Sequence, residues 1–527
     1  MAPRFESSPP EDEERPLLHA DNVSFHSADA HDSSSSEGQQ VAFGDEDSEN
    51  PRQWSDKQKL TNVGIIALMA ILSPLASSMF TPGISQIAKD LNCGEQEVIA
   101  TTTGFVIMLG VGPLILAPFS ETFGRRIVYI VCFSAFTLLQ IPTALSPNIA
   151  TLISVRAISG LFGSVGIANG GGTISDMYPS SQRAGIFGWY LLGPLLGPTL
   201  GPLFGGVIVT RLNWRWIYWV LLIICCINTA VGIIFLRESY APVILARRKK
   251  ALTDKFFASQ RHSNGNGSTE SDPLLDGTHG ESAPPKDPGF WYEGEDLRPL
   301  GTKLYASLKR PVAIFIQPIV FTMSLYQAII FGTTYSIYTN MQSIFSEKPY
   351  KFNSEQIGLL YLGPGLGFLA SVWFLVPKID TVYNALTKKN NGVSMPEYRL
   401  PLANIGAVLI PITLFGFAWT IEYKLHFMIP ISISFLYGFG QVVILNTVQN
   451  YYIDSFEKYA ASAIAGGSVF RSVMGGIVPL FAPMLFEKLG YGWGISVFGF
   501  LALAVAPSPL VFWRYGPALR ERFKLKV

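Results

Sequence analysis

The chain has 527 residues, a formal net charge of +1 and only 15% charged residues, well below the usual ~25%. Hydrophobic residues make up 49%, enough for about twelve membrane helices of ~20 residues. The near-neutral balance argues against a nucleic-acid partner. Four cysteines in such a length exclude a disulfide-built secreted scaffold.

Residues 1–59 are acidic and Ser-rich, unlike a secretory signal, and are predicted to form a disordered tail. Uncharged apolar runs then predict spans near 61–83, 98–119, 127–146, 149–175, 184–209 and 214–236. A second group follows near 312–337, 357–376, 401–420, 428–452, 461–485 and 491–513. The chain thus divides into the tail, a six-helix bundle at 60–240, a central loop at 241–310, a second bundle at 311–513 and a basic tail at 514–527. An even number of spans puts both tails on one side. On that assumption only Lys89, Arg211, Arg215, Lys348, Lys351, Lys424 and Lys488 face the other side, while Arg156 and Arg471 lie within spans. The remaining basic residues, including Arg125, Arg126 and the Arg247–Lys250 cluster, fall on the tail side, which marks it as cytoplasmic. The middle of the central loop, Ser263–Pro285, is Ser-, Gly- and Pro-rich and predicted to be flexible. Acidic dileucine patterns end at Leu17-Leu18 and Leu274-Leu275. They keep a vacuolar or endosomal membrane open beside the plasma membrane. No Cys/His spacing suggests a metal.

The loop after the second span reads Glu121-Thr-Phe-Gly124-Arg125-Arg126. It resembles the loop signature of the major facilitator superfamily, with Glu121 in place of the usual Asp. A carboxylate at one helix end and arginines across a tight Gly turn can clamp neighbouring helix ends and release them in another state. Asp176, at the end of span four, is placed to meet Arg125 or Arg126, and Arg183 lies just beyond. In span five Gly193, Gly197, Pro198, Gly201, Pro202, Gly205 and Gly206 resemble the antiporter signature of the same superfamily. Small residues at every fourth position let helices approach closely. Asn50-Pro51-Arg52-Gln-Trp54, Arg237-Glu238-Ser-Tyr240, Pro396-Glu397-Tyr-Arg399-Leu-Pro401 and Arg471 narrow the resemblance to fungal twelve-span drug:proton antiporters. The second half has no copy of the Gly-Arg-Arg loop and reads Val376-Pro377-Lys378-Ile-Asp380 instead.

The resemblance implies an all-α polytopic membrane protein: two six-helix bundles with pseudo-twofold symmetry, working by alternating access. Spans one, four, seven and ten would line the central cavity. Their polar and aromatic residues make Arg156, Asn169, Tyr326, Gln327, Tyr335, Gln441, Asn446 and Gln449 the candidate substrate-binding set. Arg156 carries most weight, because a guanidinium in hydrocarbon usually faces a cavity or a partner. No Asp or Glu lies in the middle of any span. The leading expectation is a monomeric, proton-driven exporter of drugs, toxins or secondary metabolites, with no cofactor beyond the proton gradient. A carrier of organic acids or other small anions is the alternative, and a non-transporting receptor on a carrier scaffold is a third. An enzyme is not expected, since no nucleophile–base pair, metal spacing or phosphate loop is present.

Overall fold

The computed structural model describes residues 40–44, 47–265, 290–292, 298–456 and 460–523. Expectations for 1–39, including the first dileucine pattern, and for the second pattern at 270–275 lie outside the described residues.

The first bundle begins with α1 (Asp56–Ser78), whose Ser55 amide is bonded by the Gln58 side chain at 3.3 Å. A 3-10 turn and the short α2 (Ile84–Asp90) lead to α3 (Glu95–Phe123). Gly124, at φ 100°, turns the chain into α4 (Arg125–Leu138), and α5 (Gln140–Ala144) completes the third span. That left-handed backbone is open to glycine at little cost. The fourth span is α6 (Ile149–Gly163) followed by α7 (Val165–Met177); Asn148 caps its start by accepting the Thr151 amide at 2.8 Å. The fifth and sixth are α8 (Ser180–Arg211) and α9 (Arg215–Phe235).

The stretch expected as central loop opens with a helix, α10 (Ala241–Gly265), and closes with another, α11 (Leu300–Phe315). The second bundle follows. It contains α12 (Pro318–Ser346), α13 (Ser354–Leu360), α14 (Leu362–Phe374), α15 (Val376–Lys389), α16 (Ala403–Glu422) and α17 (Met428–Ser455). It ends with α18 (Ala460–Val505) and α19 (Ser508–Arg522), so the expected tail from 514 is helical to Arg522.

Ten helical stretches are long and apolar enough to cross a membrane among the described residues. One of them, Ala463–Arg522, makes two crossings because α18 folds back at Gly490, φ 74°. A further crossing is α12, whose Thr, Ser, Tyr, Asn and Gln residues lower its hydropathy. These side chains are buried, as Thr333, Thr334, Tyr335, Ser336, Tyr338, Thr339 and Asn340 illustrate. This also explains the displaced boundaries of span seven. Polar residues past 337 read as the end of a span, but they face protein rather than lipid.

One apolar core runs from Trp54 to Leu236 and also takes in Tyr335 of α12 across the seam, and the other runs from Ile314 to Phe512. Ile223, Ile227, Ile234 on α9 and Val408, Ile412 on α16 point outward and stay exposed. Their stripes suit lipid tails as solvent. Arg125, Arg126, Arg237, Arg248, Lys388, Lys389 and Arg399 gather where spans two and three, eight and nine, and six and the linker connect. This side is termed the basic face.

The segment expected to be disordered up to residue 59 is ordered from 47 on, and at 40–44. Arg248 of α10 grips it, donating to both Asp47 carboxylate oxygens at 2.6 and 3.1 Å and to Glu49 at 2.6 Å. The Trp54 indole donates to the Ser48 carbonyl at 3.1 Å, and the Val41 amide to the Trp291 carbonyl at 2.8 Å. Arg248 therefore has a specific partner as well as a topological role.

Candidate functional site: clamps on the basic face and a seam between the bundles

The predicted gate assembles at the basic end of the first bundle. Arg125 is buried and its Nε lies 3.2 Å from the Asp176 carboxylate. Its Nη1 donates to Ser120 Oγ at 2.6 Å, and Ser120 donates to Asn169 Oδ1 at 2.9 Å. Asn169 is thereby part of the clamp, although it was expected in the substrate cavity; its Nδ2 has no partner. Arg126 donates to the Ile233 carbonyl at 3.0 Å, tying α4 to α9. Glu121 is exposed and makes no hydrogen bond among the described residues, acting on Arg125 through its charge. The Arg183 side chain lies outside the described ones.

One central member was not predicted. Glu238, after the sixth span, accepts the backbone amides of Arg125 at 2.8 Å and Arg126 at 3.2 Å. A carboxylate thus sits on the positive N-terminus of α4. Gly124 leaves room for it, since a Cβ there would lie 2.4 Å from Glu238 Oε2. Ser239 donates to Asp176 at 3.4 Å, and the Tyr240 ring lies 4.9 Å from the Arg125 guanidinium. Burial pushes the Tyr240 phenol up to about 12. A cleft of about 720 Å³ borders this cluster, lined only by residues from 47–54 and 237–251, so it flanks the first bundle and is not between the two.

The second bundle carries a matching clamp that its sequence conceals. Arg399 pairs with Asp380 of α15, and its Nε donates to Asp454, at the end of α17, at 2.7 Å. Arg520 adds a bidentate pair to the buried Glu397, at 2.8 and 3.0 Å. Arg125 stands 51 residues before Asp176, and Arg399 stands 55 before Asp454. That similar spacing is the signal that could have revealed the copy despite the missing Gly-Arg-Arg.

The glycine stripe of α8 packs on α1. A Cβ at Gly193 would meet Ala67 O at 3.2 Å, at Gly197 Ile71 O at 2.9 Å, at Gly201 Leu75 O at 2.9 Å and at Gly205 Met79 O at 1.8 Å. Gly206 turns to the other bundle, where a Cβ would meet Ser354 O at 2.4 Å, and a Cβ at Gly358 would meet Pro202 O at 2.8 Å. Pro198, one turn earlier, lies inside the helix with it.

Polar contacts between the bundles cluster away from the basic face. Ser77 Oγ lies 3.2 Å from Tyr335 Oη, and Thr103 donates to Gly476 O at 2.8 Å. Ser354 donates to Pro82 O at 3.3 Å, and Arg211 Nε meets Glu355 at 3.0 Å. These bonds tie the seam toward that end, while closer to the basic face the bundles meet by packing, as where Gly110 lies against Ser472.

The candidate substrate residues divide. Arg156 does not present its charge to a central cavity. It donates to Tyr218 Oη at 2.8 Å, Ala76 O at 3.3 Å and Thr101 O at 3.5 Å, among the rings of Phe80, Phe105 and Tyr218. The first bundle satisfies it internally, which removes the expected tilt toward anions from that position. Gln441 accepts from Thr334 at 3.3 Å inside the second bundle. Tyr335 bridges the seam. Tyr326 and Gln327 are buried with a hydroxyl and an Nε2 that find no hydrogen-bond partner among the described residues. Asn446 is buried, Gln449 is half-buried, and neither side chain makes a hydrogen bond among the described residues.

A family profile described as Major Facilitator Superfamily matches residues 66–479. The chain is 38% identical over 486 residues to the "MFS-type transporter penM" of Penicillium rubens, covering 92% of this chain and 90% of that protein. It is 34% identical over 489 residues to the "Efflux pump radE" of Floropilus chiversii, covering 92% and 85%. Among solved structures it resembles the xylose transporter XylE from E. coli in a partially occluded inward open conformation. There the TM-score is 0.61 at 14% identity, over 87% of this chain and 98% of that one. The clamps at the helix ends, the glycine stripe and the two-bundle fold agree with these likenesses: the chain belongs to the Major Facilitator Superfamily and is a membrane transporter.

Proposed function

We propose that the protein exports small organic molecules, such as drugs, toxins or secondary metabolites, from the plasma membrane, using the proton gradient. The basic face and both termini are cytoplasmic in this reading, because short loops rich in Lys and Arg stay inside. The observation that carries it is the asymmetry of the seam. Each clamp on the basic face closes within its own bundle, while the hydrogen bonds and ion pair between the bundles among the described residues gather toward the opposite face. Two internally braced bodies whose polar bonds to one another gather toward one face are suited to rocking between two openings. Export, rather than uptake, draws on relatives such as the Floropilus chiversii protein, which is itself called an efflux pump. With no acidic residue in mid-span, the coupling proton would act on carboxylates at the helix ends, where Asp176 and Asp454 lie.

The test is expression in a yeast strain stripped of its own drug pumps, challenged with a panel of toxic compounds with and without a protonophore. Resistance to some compounds, abolished by the protonophore, is expected. Resistance that survives the protonophore would remove proton coupling and keep export. Unchanged sensitivity to every compound, with the protein present at the cell surface, would overturn export.

A further inference from the structure

Two arginines lie within spans, and their surroundings are opposite. Arg156 is satisfied by hydrogen bonds inside the first bundle. Arg471 on α18 has none: its guanidinium rests on the Phe331 ring at 4.4 Å, its buried Nε lacks a partner, and no ion pair or hydrogen bond reaches its terminal nitrogens among the described residues. Among the described residues no helix packed on α18 offers a free counter-charge near it. α11 and α12 contain no acidic residue, those of α3, α16 and α17 stand near the helix ends, at Glu95, Glu97, Glu121, Glu422 and Asp454, and Asp176 of α7 pairs with Arg125. A cation left unpaired in such a medium is costly and marks a partner that the chain itself does not supply.

Its place in the fold says where that partner enters. Ser472, the next residue, packs against Gly110 of the other bundle, and a Cβ at Gly475, one turn on, would touch Phe331 and Tyr335. Arg471 therefore stands at the seam, about one turn on the basic side of the contacts Thr103–Gly476 and Ser77–Tyr335 that join it. On α12, Gln327 lies one turn before Phe331 on the same helix face. Its Nε2 is a second buried donor without an acceptor.

We propose that Arg471, supported by Gln327, binds the acidic group of an aromatic or otherwise apolar organic anion in the seam, with Phe331 carrying the guanidinium and meeting the apolar body. A planar guanidinium can take an oxyanion through two parallel bonds, and a buried amide donor adds a third. This assignment rests on the exporter reading and names its cargo class.

The experiment uses full-length protein in lipid nanodiscs and scintillation-proximity binding of tritiated 2-naphthalenesulfonate and 2-naphthalenesulfonamide, which differ in charge and share a ring. Wild type should favour the sulfonate by roughly tenfold to a hundredfold, the usual scale for hydrogen bonds to a charged group. Arg471→Gln should lose that preference while still binding the sulfonamide, and Arg471→Lys should keep part of it. Gln327→Leu should weaken the sulfonate more than the sulfonamide. Sodium sulfate in equal amount should leave the naphthalene compound bound; its displacement would overturn an organic cargo in favour of a simple anion. Equal affinity of wild type for both compounds, or an unchanged preference in Arg471→Gln, would overturn the proposal. Absence of sulfonate binding by protein that still expels rhodamine 6G from cells would overturn it and leave export standing. Should the same cells expel no compound at all, both fall.

Discussion

Removing the Glu238 carboxylate tests whether the basic-face cluster holds the first bundle together. It accepts three backbone amides, of Arg125 at 2.8 Å, Arg126 at 3.2 Å and Tyr240 at 3.1 Å. The first two belong to the opening turn of α4, where amides lack partners within the helix. A side-chain cap is worth ~1 kcal/mol, and a buried negative charge on the helix dipole adds up to ~2 kcal/mol. Glu238 is 9% exposed, so water compensates poorly. Glu238→Ala should cost about 3 kcal/mol, which at ~2–4 °C per kcal/mol for a body of this size lowers the melting temperature by about 6–12 °C. Glu238→Gln keeps one acceptor and loses the charge, and should cost about half as much. Gly124 supplies an internal control. A Cβ there strikes the carboxylate and the backbone is left-handed, so Gly124→Ala should cost more in wild type than in Glu238→Ala. The coupling should be ~1 kcal/mol or more, as for residues in contact. Fluorescence-monitored melting of the four full-length proteins in detergent measures it. A Glu238→Ala protein within about 2 °C of wild type, against the ~6 °C or more expected, would refute the reasoning. So would costs that simply add.

Arg399 holds Asp380 and Asp454 together, so Arg399→Ala leaves two carboxylates facing each other and should slow transport at normal surface expression. Arg399→Lys should recover little, since one ammonium cannot replace a fork; full activity of the Ala variant in a dye-efflux assay would count against a second clamp. Arg156→Ala strands Tyr218 Oη and two carbonyls in the first bundle. It should cost about 2–4 kcal/mol, since a buried polar group left unpaired costs ~1–3 kcal/mol and lost packing adds to it, and reduce the folded yield seen by fluorescence size exclusion, while the more conservative Arg156→Lys leaves the compound profile unchanged. A shifted profile would return Arg156 to the cargo path. At the N-terminal segment, the Arg248 hydrogen bonds hold the Asp47 carboxyl below its usual 3.8. A lowered folded value means the clamp contributes fully above about pH 4 and fades as pH falls through and below 3.8. The protection of residues 47–55 against hydrogen exchange, taken relative to the intrinsic rate at each pH, should fall in that window, and Arg248→Ala should lower it at neutral pH and flatten the dependence. An acid-insensitive segment in wild type would contradict the pairing.

Apolar runs along the chain determined most of the architecture, because burial in lipid is decided by local composition. The glycine periodicity of span five and the Arg125 loop were legible for the same reason: each is a short pattern whose physics is contained in neighbouring residues. What only the tertiary structure decided is which charges find partners. Arg156 and Arg471 look alike as lone arginines in spans. One meets Tyr218, 62 residues away; the other meets an aromatic ring and, among the described residues, no acceptor. Arg399, hidden between prolines, becomes the copy of Arg125 only when α15 and α17 bring Asp380 and Asp454 to it. Glu238 reads as the residue after a helix until the fold sets it on the start of α4. The polarity of α12 suggested a shorter span, yet its hydroxyls and amides are buried against protein. Hydropathy is a sum over neighbours in the chain, whereas the fate of a charge depends on what packing delivers within a few ångströms, and that information is spread across segments far apart in sequence.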